Sequence, residues 1–216
     1  MVKPIFTPFA HNSIKNIIFD LGGVILNIDY HLTINAFKAL GLHSFDSLFT
    51  QANQIGLFDK LDKGLITPQE FRDEIRRITS SNITDSQIDK AWNAMLLDFP
   101  PSRLELLGRV KDGYRTFLLS NTNAIHIEDY NRILYNTFGV KNLSVFFERE
   151  YYSHLIHMRK PDAEAFELIL NENKLKPEET LFIDDTLQHV EGARKVGIQA
   201  YHLDIPAGQS IDNLFT

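Results

Sequence analysis

Four short stretches of this chain carry residues that could do chemistry together. Asp20 ends the run Ile17-Ile18-Phe19, and Ser120-Asn121-Thr122-Asn123 opens at the end of Phe117-Leu118-Leu119. Arg159-Lys160-Pro161 leads into a later segment, and Asp184-Asp185 closes Leu181-Phe182-Ile183. Carboxylate oxygens bind a hard divalent cation such as Mg²⁺ without softer ligands. A hydroxyl, a backbone N–H and a lysine can then take the oxygens of a phosphate. Taken singly, none of these residues is informative. An Asp after an apolar run is commonly a turn or helix cap, Ser-Asn-Thr-Asn is ordinary turn composition, and a Lys before Pro is commonly a solvated charge. The weight rests on the ordered set, because carboxylates, a hydroxyl and a lysine would converge on one crevice.

The elements that must position them are legible as apolar runs. Asn16–Phe19, Thr116–Leu119, Ser144–Phe147, Thr180–Ile183 and Gln199–Leu203 read as five strands. Runs that are apolar throughout suit strands buried on both faces of a parallel sheet. Between the later runs lie helical patterns. Ser102-x-x-Glu105 is a capping-box pattern ahead of Leu104, Leu107 and Val110; Asp162–Asn173 carries Phe166, Ile169 and Leu170; Glu191–Val196 is stopped by Gly197. This alternation predicts a right-handed, doubly wound, Rossmann-like α/β sheet.

Residues 31–99 break the alternation. Thr67-Pro68-Gln69-Glu70 and Thr84-x-x-Gln87 open two amphipathic helices. Ile34, Phe37 and Leu40 lead to Gly41, and Phe45, Leu48 and Phe49 mark another short helix. The expected organisation is a core of residues 13–30 and 100–216 with a helical cap, 31–99, inserted after the first strand. Such a cap would lie over the C-terminal edge of the sheet, where open α/β sheets bind ligands.

Composition narrows the function classes. Of 216 residues, 22 are Lys or Arg and 28 are Asp or Glu, a net charge of −6 that argues against non-specific nucleic-acid binding. The absence of cysteine excludes disulfides, thiolate nucleophiles and zinc–thiolate sites. No apolar run approaches the roughly 20 residues of a membrane span, and the N-terminal stretch lacks a signal-like apolar segment. A cytoplasmic protein that engages neither nucleic acid nor membrane is expected. Gly22-Gly23 does not satisfy the dinucleotide fingerprint G-x-G-x-x-G.

Together, Ile-Ile-Phe-Asp20-Leu-Gly-Gly-Val-Ile, Leu-Leu-Ser120-Asn-Thr-Asn, Met-Arg-Lys160-Pro-Asp and Leu-Phe-Ile-Asp184-Asp185 with Glu191-Gly-Ala resemble the four motifs of haloacid dehalogenase-superfamily hydrolases with a C1-type cap. The resemblance spans about residues 15–204. Its wording is similar to that of bacterial phosphatases of α-D-glucose 1-phosphate and of the phosphatase domain of soluble epoxide hydrolases. It implies an Mg²⁺-dependent phosphatase of small phosphorylated metabolites, with sugar phosphates as the substrate class. Asp20 would attack phosphorus and form an aspartyl-phosphate. Asp20, the Gly22 carbonyl and Asp185 would bind Mg²⁺, with Asp184 orienting its waters. Ser120, Asn121 and Lys160 would hold the phosphate, Ser120 and Lys160 also serving catalysis. A receiver domain would place its acidic pair early in the chain, and a dehalogenase would leave Asp184-Asp185 without a purpose.

The resemblance fails at Gly22, where relatives usually place an acid/base Asp. Such a group contributes roughly 10²–10⁴-fold in rate. Another side chain could serve, with Asp29, His31, His154 and His157 as candidates. Alternatively the leaving group needs no proton, or the protein is a catalytically weak binder of phosphorylated ligands. His157 stands where relatives often carry Gly, and His189 where they commonly carry Asn or Asp.

Overall fold

The computed structural model describes residues 14–42, 45 and 56–215. Five parallel strands form one sheet in the order β3-β2-β1-β4-β5. They are β1 (Asn16–Phe19), β2 (Arg115–Ser120), β3 (Arg149–Tyr152), β4 (Thr180–Asp184) and β5 (Gln199–His202). β1 pairs in register with β2 and β4, Phe19 lying opposite Leu118 and Ile183. All four β1 residues are buried, as expected of a central strand covered on both faces. Each such apolar side chain contributes about 1.5–3 kcal/mol on burial.

The third strand is a correction. Ser144–Phe147, expected as a strand, instead includes a 3₁₀ turn over Leu143–Val145, capped by the Asn142 side chain. Leu143 and Phe147 are apolar because they fill the core from a loop. The strand is the next segment, Arg149–Tyr152, at the sheet edge, where only Tyr151 is buried. An edge strand tolerates Arg and Glu, so it lacks the continuous apolar signature.

Helices cover both faces. α5 (Pro101–Lys111) starts with Pro101 at its first position and uses no side-chain cap, so the expected Ser102 box is not formed. α6 (Ala124–Phe138) follows β2, capped by Asn123. α7 (Ser153–Ile156) and α8 (Ala163–Asn173) follow β3. α9 (Leu187–Lys195) begins a turn earlier than expected and gives way to Gly197 at φ 85°.

The segment between β1 and α5 is helical: α1 (Tyr30–Ala39), α2 (Leu57–Asp62), α3 (Pro68–Thr79) and α4 (Asp85–Asn93). Thr67 and Thr84 form both expected capping boxes. Leu48 and Phe49 lie outside the described residues, while Phe45 is buried and stacks on Phe37 at 4.1 Å. These helices build their own apolar cluster, with Phe37, Phe71, Ile75, Ile88 and Trp92, into which Ile125 of α6 reaches. The two connecting segments run side by side, Ile28 bridging Leu96 and Leu97 N–H donating to the Asn27 carbonyl at 3.0 Å. Among the described residues no helix is long and apolar enough to cross a membrane.

Candidate active site

The strand ends bring the four motif stretches together. Asp20 follows β1, Ser120 ends β2 and Asp184 ends β4, all three buried at the C-terminal edge of the sheet. Lys160 arrives from the loop between α7 and α8 and is fully buried. Its Nζ lies 2.6 Å from Asp20 Oδ1 and 2.7 Å from Asp184 Oδ2, over the Phe182 ring at 5.4 Å. Asn121 holds the lysine's backbone on both sides, donating to the Lys160 carbonyl at 2.9 Å and accepting its N–H at 3.0 Å. The turn that follows Ser120 is thus tied to the loop carrying Lys160.

Asp185 nestles against the Gly22-Gly23 turn. Gly23 sits at φ 76°, and a Cβ there would collide with the Asp185 carboxylate. Both the positive φ and the close approach require glycine. His189 of α9 places Nδ1 3.1 Å from both oxygens of Asp184. Ligand atoms of Asp20, Asp184 and His189 all lie within 4.8 Å of one another.

The electrostatics follow from three carboxylates and one ammonium in a dry place. Burial, then the neighbouring Asp184, pushes Asp20 up to about 8, against the pull of Lys160. Burial and Asp184 also push Asp185 up. For Asp184 burial opposes ionisation, but Lys160 and His189 outweigh it and hold the carboxyl below its usual range. Burial likewise opposes the charge on Lys160, and Asp184 and Asp20 outweigh it. The cluster therefore holds more carboxyl groups than its one lysine can keep ionised together. An oxygen-rich set of this kind fits a divalent cation.

A cavity of about 240 Å³ borders this cluster. Asn121, Arg159 and His189 line it from the sheet side, and Tyr30, Phe58, Asp62 and Trp92 from the helical insertion. Trp92 lies between Phe58 and His126, with ring centroids 5.0 Å and 5.2 Å away. His126 donates its Nδ1–H to Asn93 Oδ1, 2.7 Å away, and burial pushes it down to about 3.

None of the four histidine and aspartate candidates for a proton donor borders that cavity. Asp29 caps α1 by accepting the His31 N–H, His31 is exposed, and His154 lines a separate depression beside Gly64. His157 adopts the left-handed conformation that glycine favours, φ 57°, with its ring Nδ1 2.8 Å from the Lys63 carbonyl. Asp62, which does border the cavity, belongs to none of the motifs read from the sequence. It lies in Asp59-Lys60-Leu61-Asp62-Lys63, a run that reads as a solvated charged face.

Residues 14–197 match the model of a haloacid dehalogenase-like hydrolase. A D-ribitol-5-phosphate phosphatase of Bacteroides thetaiotaomicron is 29% identical over 188 residues, 87% of this chain and 91% of the relative. A HAD family enzyme of the same organism shares the fold with TM-score 0.82 and 38% identity, covering 88% of this chain and 93% of that one. The wild-type form solved with magnesium and inorganic phosphate gives 0.79 and 39% over the same shares. A predicted HAD-like hydrolase of Porphyromonas gingivalis gives 0.79 and 32%, over 88% of this chain and 91% of that one.

Proposed function

The chain belongs to the haloacid dehalogenase-like hydrolase family as a phosphatase, and from that premise we propose that it hydrolyses small sugar or polyol phosphates through Asp20. The observation that carries this reading is the Lys160 ammonium held between Asp20 and Asp184 at 2.6 and 2.7 Å. The similarity to an enzyme of D-ribitol 5-phosphate supports an open-chain or cyclic polyol as the leaving group.

Asp20 attacks phosphorus in line as its bond to the leaving oxygen breaks, which gives an aspartyl-phosphate that water then hydrolyses. Ser120 and the Asn121 N–H hold phosphoryl oxygens, and Lys160 offsets charge on the phosphate and on Asp20. Asp20, the Gly22 carbonyl and Asp185 would hold Mg²⁺, with Asp184 orienting its waters. The excess of carboxyl groups over lysine supports this, as do the relatives' magnesium complexes. When bound, the cation supplies charge neutralisation between carboxylate and phosphate. Residues 31–99 act as a cap, a role supported by their separate apolar cluster and by the cavity they share with the sheet.

The test is phosphate release from a panel of phosphorylated metabolites, with Mg²⁺ and with EDTA. Turnover of polyol or sugar phosphates that EDTA abolishes, and that Asp20→Asn abolishes while keeping the fold, is the expected outcome. Undiminished activity of Asp20→Asn would overturn the mechanism. A second reading, a weak binder of phosphorylated ligands, rests on the bare Gly22. It predicts Mg²⁺-dependent thermal stabilisation by a phosphate ester without phosphate release.

A further inference from the structure

A phosphatase that acts on alkyl esters must supply a proton to a poor leaving group, and Gly22 offers no side chain to do it. The titratable groups around the cavity narrow the choice. His126 is neutral, and its Nδ1 is engaged with Asn93. His189 is committed to Asp184, and a guanidinium such as Arg159 keeps its protons. Asp62 is the carboxyl group among the residues that line the cavity.

Its setting is built rather than incidental. Asn123, which caps α6 through its Oδ1, turns its Nδ2 to Asp62 Oδ1 at 3.1 Å. The other carboxyl oxygen has no hydrogen-bond partner among the described residues. Asp59, one turn earlier on α2, takes Arg159 at 2.7 Å, so that guanidinium is already engaged by another carboxylate. Asp62 shares the cavity with Asn121 and His189, which border the reacting centre. Tyr30 lines it too, but burial and then the charges of Asp20, Asp185 and Asp62 push its hydroxyl up, so it holds its proton. Building on the phosphatase reading above, we infer that Asp62 of the helical insertion is the proton-transfer residue that replaces the side chain missing at residue 22.

Burial pushes the Asp62 carboxyl up, against Asn123 and Arg159, which favours the protonated form needed at the start. As the P–O bond to the alcohol breaks and the Asp20–phosphorus bond forms, Asp62 gives its proton to the departing oxygen. The alcohol leaves neutral, and Asp62 is left as a carboxylate. It then takes a proton from the water that attacks phosphorus, Asp20 departs, and phosphate is released with Asp62 protonated again.

The test compares Asp62→Asn and Asp62→Glu with the wild type, with Mg²⁺, on two probes: ribitol 5-phosphate and p-nitrophenyl phosphate. A nitrophenolate leaves without a proton; an alkoxide does not. Asp62→Asn is expected to lose about 100-fold or more in kcat on the alkyl ester. On the aryl ester it should release a burst of one nitrophenol per subunit, then turn over slowly, because only the second step lacks its base. Asp62→Glu should recover part of the alkyl-ester rate. A purely structural role for Asp62 predicts equal losses on both esters, no burst, and the same behaviour in Asn123→Ala; that result overturns the assignment. Alkyl-ester turnover within about threefold of wild type in Asp62→Asn overturns it as well. Silence of the wild type on both esters overturns the phosphatase reading itself, and this assignment with it.

Discussion

At the scale of single residues, the site is a problem of charge. Lys160 is fully buried and survives as an ammonium only because two carboxylates hold it within 2.7 Å. Removing one partner of such a buried set typically costs about 3–5 kcal/mol. Gly22 is the opposite case, a position where something can be added. A Cβ there would meet Ile28 Cδ1 at 3.0 Å, the far end of a flexible side chain that can rotate away. Gly22→Asp placed in the Asp62→Asn background is therefore expected to fold and to regain about 10-fold or more of the lost alkyl-ester rate, read by phosphate release. Recovery would show that a carboxyl in either place meets the same need. The first of these two residues is legible in the sequence as the Lys of Met-Arg-Lys-Pro. The need met at the second is legible too, as a missing Asp, but not the residue that meets it.

At the scale of elements, loops are held by helices that approach closely. α9 comes so near the Lys160 loop that a Cβ on Gly192 would lie 2.5 Å from the Pro161 carbonyl oxygen. Gly192→Ala must push that loop, and Lys160 with it. The expected loss is about 1–3 kcal/mol of stability, the usual range for overpacking, together with a lower kcat. Gly108→Ala on α5, where nothing lies within 4 Å, serves as the control. It should instead gain about 0.5–1 kcal/mol, as replacing a helical glycine with room for a methyl does. Thermal melts and phosphate release on both variants check the pair. α2 is fixed in the same manner, by Asp59 to Arg159, Asp62 to Asn123 and the Lys63 carbonyl to His157. Capping boxes at Thr67 and Thr84 could be read from the sequence because a cap is local, four residues long. β3 could not be. Its charged residues are permitted by an edge position, and the apolar run expected in its place buries itself from a loop.

At the scale of the molecule, the helical insertion and the sheet share one interface, and His126 sits in it, stacked on Trp92 of α4. Burial pushes His126 down to about 3. The unfolded chain, with an ordinary histidine near 6.5, binds the proton that the folded chain refuses. Stability contributed at neutral pH is therefore lost as pH falls from about 6.5 toward about 3. His126→Phe keeps a stacking ring and cannot titrate. Between about pH 7 and pH 4.5 the wild-type melting temperature should fall more steeply than that of the variant, whatever their difference at neutral pH. Parallel slopes in the two proteins would contradict this account.

Asp20, Ser120 and the Asp184-Asp185 pair were legible because each follows or ends an apolar run, and strands of a parallel sheet deliver their C-terminal ends to one edge; Lys160, in a loop, was legible only through Met-Arg-Lys-Pro. Apolar runs and period were enough to place four of the five strands and the helices of the described residues between β1 and α5. Only the tertiary structure brought Asp62 to the cavity, set His189 against Asp184 and tied Asn121 to the Lys160 backbone. The physical reason is range. A strand end or a helix cap is fixed by neighbours a few residues away, whereas Asp62 meets Asn123 across 61 residues and Asn121 meets Lys160 across 39. Contacts at such separations are decided by how the elements pack.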